Sequence, residues 1–247
     1  MSALAYLGAL AIGLSLGLTG AGGSILTLPV LVYLAGVPPG EAVGLSLFVV
    51  GIAALTGAVG RWRRGDFHPQ AALTFGLAGM AGAALGSQFT DLVPPSVLMT
   101  SFAVLMLLVA LRMLTGGQKT VELSPECRPV RCLLAGTATG ILTGFLGVGG
   151  GFLLVPALMR FAHLPLAMAT GTSLAIISTN SLAGWLSHLP ESAGRPDLMF
   201  LFAALAVVGT AAGKHLGTKL PTRHLRTGFA VMVLVTGGFV LWQSLSG

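Results

Sequence analysis

Charge is what this sequence has least of. Asp, Glu, Lys and Arg make up 8% of 247 residues, where a soluble domain carries roughly 25%. So few charges cannot cover a water-facing surface of this size, which excludes a soluble globular protein. Acids are scarcer than bases, 7 against 13, and none is paired within an apolar run, so general acid–base chemistry on two buried carboxylates is excluded. There are 2 cysteines, Cys127 and Cys132, beside a central polar stretch, and His68, His163, His188 and His224 fall between apolar runs. None of these has metal-ligand spacing to another. No metal and no cofactor are expected, and the two thiols read as reduced and incidental. No Ser/His/Asp or Cys/His constellation is evident, so an enzyme is not expected. Met1-Ser2-Ala3-Leu4-Ala5-Tyr6 has no basic residue, so a cleaved signal peptide is not expected either.

What is abundant is apolar length. The chain is 54% hydrophobic with a mean hydropathy of +0.91. Several runs reach about 20 residues, enough at ~1.5 Å per residue to cross a ~30 Å hydrocarbon core. The runs do not alternate as the strands of a membrane β-barrel do. The expected class is an all-α integral membrane protein, multi-pass. The net charge of +6 sits in short loops, where it marks membrane orientation rather than nucleic-acid binding.

Two glycine clusters interrupt these runs. The first is Gly17-Leu18-Thr19-Gly20-Ala21-Gly22-Gly23-Ser24; the second is Gly144-Phe145-Leu146-Gly147-Val148-Gly149-Gly150-Gly151. Each is followed by a proline, Pro29 or Pro156, 127 residues apart. At that offset, without gaps, nine of the sixteen glycines between positions 9 and 112 fall on glycine; chance gives about two or three, so the chain is an internal duplication. Further pairs are Pro38/Pro165, Ser46/Ser173, Pro94/Pro221 and Phe102/Phe229.

Each half reads as two short pieces around a cluster and three longer spans. In half one these are 3–16, 24–35, 42–60, 69–89 and 96–114; in half two 133–145, 152–162, 167–187, 197–217 and 225–244. The first two pieces, as helices, measure roughly 21 Å and 18 Å, short for full spans. The expected organisation is a first transmembrane repeat at 1–115, a cytoplasmic linker at 116–131 and a second repeat at 132–247. Gly76, Gly79, Gly82 and Gly86 form a stripe suited to close helix approach.

Loop charge then predicts the symmetry. Arg61, Arg63 and Arg64 follow the first long span of half one, whereas in half two Lys214, Lys219, Arg223 and Arg226 follow the second. Placing both groups inside requires an odd number of crossings per half. The fold predicted is therefore two inverted-topology repeats, each a short helical hairpin with a Gly-rich tip plus three transmembrane helices, with both termini outside.

Irregular backbone is tolerated at membrane depth only where protein or water satisfies it. The two tips are thus expected in the interior, where glycine leaves amides accessible and the following short helices aim their positive ends at one place. Such ends bind anions. The candidate substrate-binding residues are Gly20, Ala21, Gly22, Gly23 and Ser24 in the first cluster, and Gly147, Val148, Gly149, Gly150 and Gly151 in the second. Ser46, Thr172, Ser173 and Asn180 in the long spans join them; helix–helix glue is the competing role for the hydroxyls. Lys214 and His215 read as snorkelling residues. Neither cluster ends in Gly-Lys-Ser/Thr or follows a strand, so nucleotide phosphate binding is excluded.

At these residues the chain resembles the TauE/SafE sulfite exporter family, part of the toluene sulfonate uptake permease group. The resemblance is carried by Gly17 to Pro29, by Gly144 to Pro156, and by Ala42-Val43-Gly44-Leu45-Ser46 and Ala169-Thr170-Gly171-Thr172-Ser173. It covers nearly the whole chain and implies a bacterial inner-membrane carrier of sulfite, organosulfonates or related small anions, often a proton-motive-force-linked exporter. The first-half copy lacks the threonines of the second, which leaves open whether the halves contribute equally. The function expected is alternating-access transport of a small sulfur-containing anion; the alternatives are a channel-like anion pore and an accessory membrane subunit. The partners expected are the anion, the bilayer, protons as coupling ion and a second copy in a homodimer; no nucleic acid is expected.

Overall fold

A computed structural model describes residues 3–89, 95–115, 129–145, 151–187, 195–219 and 222–246. Among these, all regular structure is helical: α1 Ala3–Thr19, α2 Gly23–Pro29 continued by a π-helical turn Val30–Leu34, α3 Pro39–Trp62, α4 Pro69–Ser87, α5 Pro95–Thr115, α6 Pro129–Phe145, α7 Gly151–Phe161, α8 Leu166–Ser187, α9 Pro196–Lys219 and α10 Thr222–Ser246. Five of them open on proline, whose missing N–H costs nothing in a first helical turn. Pro29 lies at the end of α2 instead, and there the backbone widens into π register, with Ala35 N–H reaching Val30 O at 3.0 Å. Two helical stretches, Glu41–Trp62 and Pro196–Gly217, are long and apolar enough to cross a membrane among the described residues.

The exterior and interior are distributed as lipid demands. Leu73, Leu77, Leu108, Val208 and Trp242 are exposed, while Thr27, Thr172, Ser173 and Thr210 are buried. Hydroxyls are hidden inside because hydrocarbon offers them no partner. Many are bonded to a carbonyl of their own helix, as Thr27 is to Gly23 O and Thr210 to Ala206 O.

The duplication seen in the sequence reappears in the packing. Phe75 and Phe202, Met106 and Val233, and Ala42 and Ala169 are equivalent pairs, all fully buried. A methyl on Gly13 would lie 2.8 Å from Ala206 Cα, and one on the equivalent Gly140 would lie 2.8 Å from Gly79 Cα. Thus α1 packs on α9 as α6 packs on α4, through small residues that let backbones approach. Even a helix ending is repeated. Val37 N–H bonds Leu31 O and Leu164 N–H bonds Leu158 O, closing two wide helix ends whose left-handed residues are Gly36 (φ 67) and His163 (φ 52).

Helix directions follow from which residues meet. Gly8 faces Val30 and Leu34 while Gly23 faces Ile12 and Leu16, so α1 and α2 form an antiparallel hairpin that turns at residues 20–22. Gly51 lies against Leu182, Gly57 against Leu174 and Gly184 against Leu47, so the equivalent helices α3 and α8 run antiparallel. Helices α3 and α9 run parallel, with Gly57 against Thr210 and Gly60 against Lys214. The two basic helix ends therefore lie side by side. Gly79 and Gly82 of the predicted glycine stripe meet α6, and Gly76 meets Ile176 of α8.

Cys132 is disulfide-bonded, not the free thiol expected. Its only possible partner within the chain, Cys127, lies outside the described residues.

Candidate functional site

The first hairpin tip is built around Gly20, whose φ of 77° is a left-handed conformation that a side chain disfavours. Gly20 N–H still closes the last turn of α1 on Leu16 O at 2.8 Å. Thr19 then turns its hydroxyl over the tip. It donates to Ser15 O at 2.8 Å and accepts from Gly22 N–H at 3.0 Å and Ala21 N–H at 3.5 Å. The expectation that these amides stand free is therefore not met at Ala21 and Gly22, because a threonine within reach captures them. Ser24 Oγ donates to Ala21 O at 2.9 Å. Gly22 and Gly23 also have packing roles, since a side chain there would run into Met232 and Ser15, or into Leu16 and Ile12.

Helix α8 passes directly beside this tip. Thr170 packs against Gly20, its Cβ 2.7 Å from where a Gly20 methyl would sit. Ser173 Oγ lies 3.0 Å from Gly20 O and 2.9 Å from Thr170 O, fully buried. The symmetry mate Ser46 bonds Val43 O at 2.8 Å, the counterpart of the Ser173–Thr170 bond. Thr172 faces elsewhere: its Oγ1 accepts from His68 N–H at 3.1 Å, tying α8 to the α3–α4 loop. Asn180 lies two turns beyond Ser173, and its Oδ1 is buried without a partner.

The two clusters meet. A methyl on Gly151, the first residue of α7, would lie 2.5 Å from Ser24 Oγ, 3.3 Å from Ala21 O and 3.0 Å from Ile177 Cδ1 of α8. The starts of α2 and α7 thus face each other against α8. Gly147, Val148, Gly149 and Gly150 lie outside the described residues.

Two residues join the site that sequence spacing did not select. Arg61, in the last turn of α3, sends Nη2 to Gly17 O at 3.5 Å. The Lys214 backbone packs on Gly17, where a methyl would lie 2.8 Å from its N, and its Nζ lies against Gly60, next to Arg61. The Arg61 guanidinium thus reaches the end of α1, just before the tip, with the Lys214 ammonium at the adjoining end of α3.

An interior of hydroxyls, glycine turns and apolar walls fits a helical membrane transporter, the class to which the comparisons assign the chain. The family model for the sulfite exporter TauE/SafE matches residues 5–240, and the chain belongs to that family. It is 35% identical to a "Probable membrane transporter protein" of Xylella fastidiosa (strain 9a5c), over 94% of this chain and 92% of that one. It is 27% identical to "Probable membrane transporter protein YdhB" of Bacillus subtilis, over 84% and 85%. A "Probable membrane transporter protein" of Methanocaldococcus jannaschii is 24% identical over 93% and 91%. No solved structure matches the chain significantly.

Proposed function

We propose that this protein is a secondary carrier for a small sulfur-containing oxyanion such as sulfite or an organosulfonate, working by alternating access between two inverted halves. The observation that carries the proposal is the meeting of the α2 and α7 starts at Ser24 and Gly151. Each helix N-terminus contributes roughly half an elementary positive charge, so two together approximate one unit, directed at one volume. An oxyanion is the complementary ligand, and Ser173, Ser24 and Asn180 are the polar side chains beside it. The family's description as a sulfite exporter agrees with that charge.

Inversion is supported by the antiparallel course of the equivalent helices α3 and α8. If both span the membrane, the axis relating the halves lies in the membrane plane. The adjoining ends of α3 and α9 carry Arg61, Arg63, Arg64 and Lys214, a bias that supports a cytoplasmic position for them. The first hairpin then opens to the outside and the second to the inside, so each can seal one face while the other releases. The test is flux in proteoliposomes with sulfite, thiosulfate, sulfate, sulfoacetate and taurine. Saturable flux accelerated by substrate on the opposite side is expected. Flux that never saturates makes the protein a pore, and absence of flux and of anion-dependent thermal stabilisation ends the proposal.

A further inference from the structure

Arg61 is only 13% exposed, and its bonds do not account for its charge. Nη2 donates to Gly17 O at 3.5 Å, and Nη1 stands 3.9 Å from Asp66 Oδ2, at the outer limit of an ion pair. Nε is buried with no partner. A guanidinium presents its donors in fixed forks, and Nε with Nη2 forms one of them. The Gly17 contact has a structural explanation, since a cation belongs at a helix C-terminus. That explanation leaves Nε and the neighbouring charge untouched.

Lys214 supplies that charge. Its Nζ packs against Gly60, and it forms no ion pair among the described residues. Arg63 and Arg64 close the same turn, so Asp66 is the one acid set against four cations. The position is also connected to the tip. A methyl on Gly171 would lie 3.1 Å from Arg61 Cβ, and the preceding residue, Thr170, packs on Gly20. Arg61 is thus one residue of α8 away from the first hairpin.

We infer that Arg61, assisted by Lys214, binds the transported oxyanion beside the first hairpin tip, at the end of α3, with one oxygen on the unpartnered Nε and a second on Nη2 in place of its long contact with Gly17 O. The inference rests on the anion-carrier proposal above and adds a binding residue to it. A fork gripping two oxygens of one sulfur is the geometry an ammonium cannot copy. Asp66 competes for the same guanidinium, so the acid and the base have opposite effects on affinity.

The experiment uses full-length protein in proteoliposomes and radiolabelled sulfite, comparing wild type with Arg61→Lys, Arg61→Gln, Lys214→Gln and Asp66→Asn. Arg61→Gln should raise KM about tenfold or more, the scale of one charged hydrogen-bonded contact. Arg61→Lys should recover only part of it, Lys214→Gln should raise KM several-fold, and Asp66→Asn should lower it. A strut that merely held Gly17 in place would reduce maximal flux or yield while leaving KM alone, and Asp66→Asn would not tighten binding. Should Arg61→Gln fail to fold, Arg61→Lys and Lys214→Gln decide. Unchanged KM in both, with wild type carrying sulfite, overturns this inference alone; wild type carrying no anion removes the transport proposal with it. An Arg61 effect that disappears in liposomes without anionic lipid would assign the fork to a lipid headgroup and overturn it too.

Discussion

Gly13 and Gly140 test the duplicated packing quantitatively. A methyl on either would come 2.8 Å from an opposing Cα, of Ala206 or Gly79 respectively, where carbon–carbon contact needs roughly 3.5–4.0 Å. The helix pair must therefore separate by about an ångström, at an overpacking cost of ~1–3 kcal/mol. Alanine's better helix propensity returns ~0.8–1 kcal/mol. Gly13→Ala and Gly140→Ala are therefore each expected to destabilise, by up to ~2 kcal/mol. Gly228 and Gly238 are controls within α10: a methyl there meets nothing within 4 Å. Alanine at those positions should stabilise by ~0.5–1 kcal/mol, the propensity gain alone. Unfolding in mixed detergent micelles, followed by far-ultraviolet circular dichroism, measures all four. If Gly13→Ala and Gly140→Ala behave like the α10 controls, the close approach of α1 to α9 and of α6 to α4 is wrong. If only one of the pair is costly, the two interfaces are not equivalent.

Ser173→Ala should cost ~1–3 kcal/mol by leaving the Gly20 carbonyl without its side-chain donor, and the same unfolding assay reads it; no loss would mean that the bond to Thr170 O is the one formed. His163→Gly should stabilise by ~0.5–1 kcal/mol, because a residue with a Cβ is held at positive φ where the first half has Gly36. Asn180→Leu should be neutral or stabilising, since it removes a buried unpaired carbonyl, yet should lower sulfite flux; unchanged flux would make Asn180 irrelevant to substrate.

Much of the fold was readable because lipid leaves the sequence few choices. Charge had to leave the spans and backbone breaks had to be marked by glycine, so the ten helices among the described residues fall within a few residues of their expected positions. The 127-residue register was readable because packing faces survive in the same small residues, Gly13 with Gly140 and Gly82 with Gly209. The site was less legible. That the α2 and α7 starts would meet followed from inversion, but what occupies the tip's amides did not. Thr19 lies three residues before Gly22, a spacing that allows a side-chain cap, but within a glycine motif nothing distinguishes it from its neighbours. Arg61 reads in the sequence as a loop charge because its return to Gly17 depends on how the α1–α2 hairpin packs beside α3 and α9, which no local pattern carries.

Membrane orientation is where two physical signals collide. The adjoining ends of α3 and α9 are basic, which argues that they lie in the cytoplasm. Helix α6 packs parallel to α4, as Gly136 against Phe75 and Gly140 against Gly79 require. The start of α6, which carries Cys132, must then share the side of the α3 and α9 ends. Disulfides persist in oxidising compartments, so the Cys132 disulfide argues for the outside. The charge signal has more weight, because it comes from several residues at two helix ends that are far apart in sequence, whereas a single pair of nearby cysteines can oxidise wherever an oxidant reaches it. A membrane-impermeant maleimide applied to intact cells should therefore leave both cysteines unlabelled, with or without an impermeant reductant, and should label them in inside-out vesicles once reduced. Labelling of reduced intact cells would reverse the orientation, put Arg61 and Lys214 on the outer face, and turn the proposed cytoplasmic binding fork into an external one.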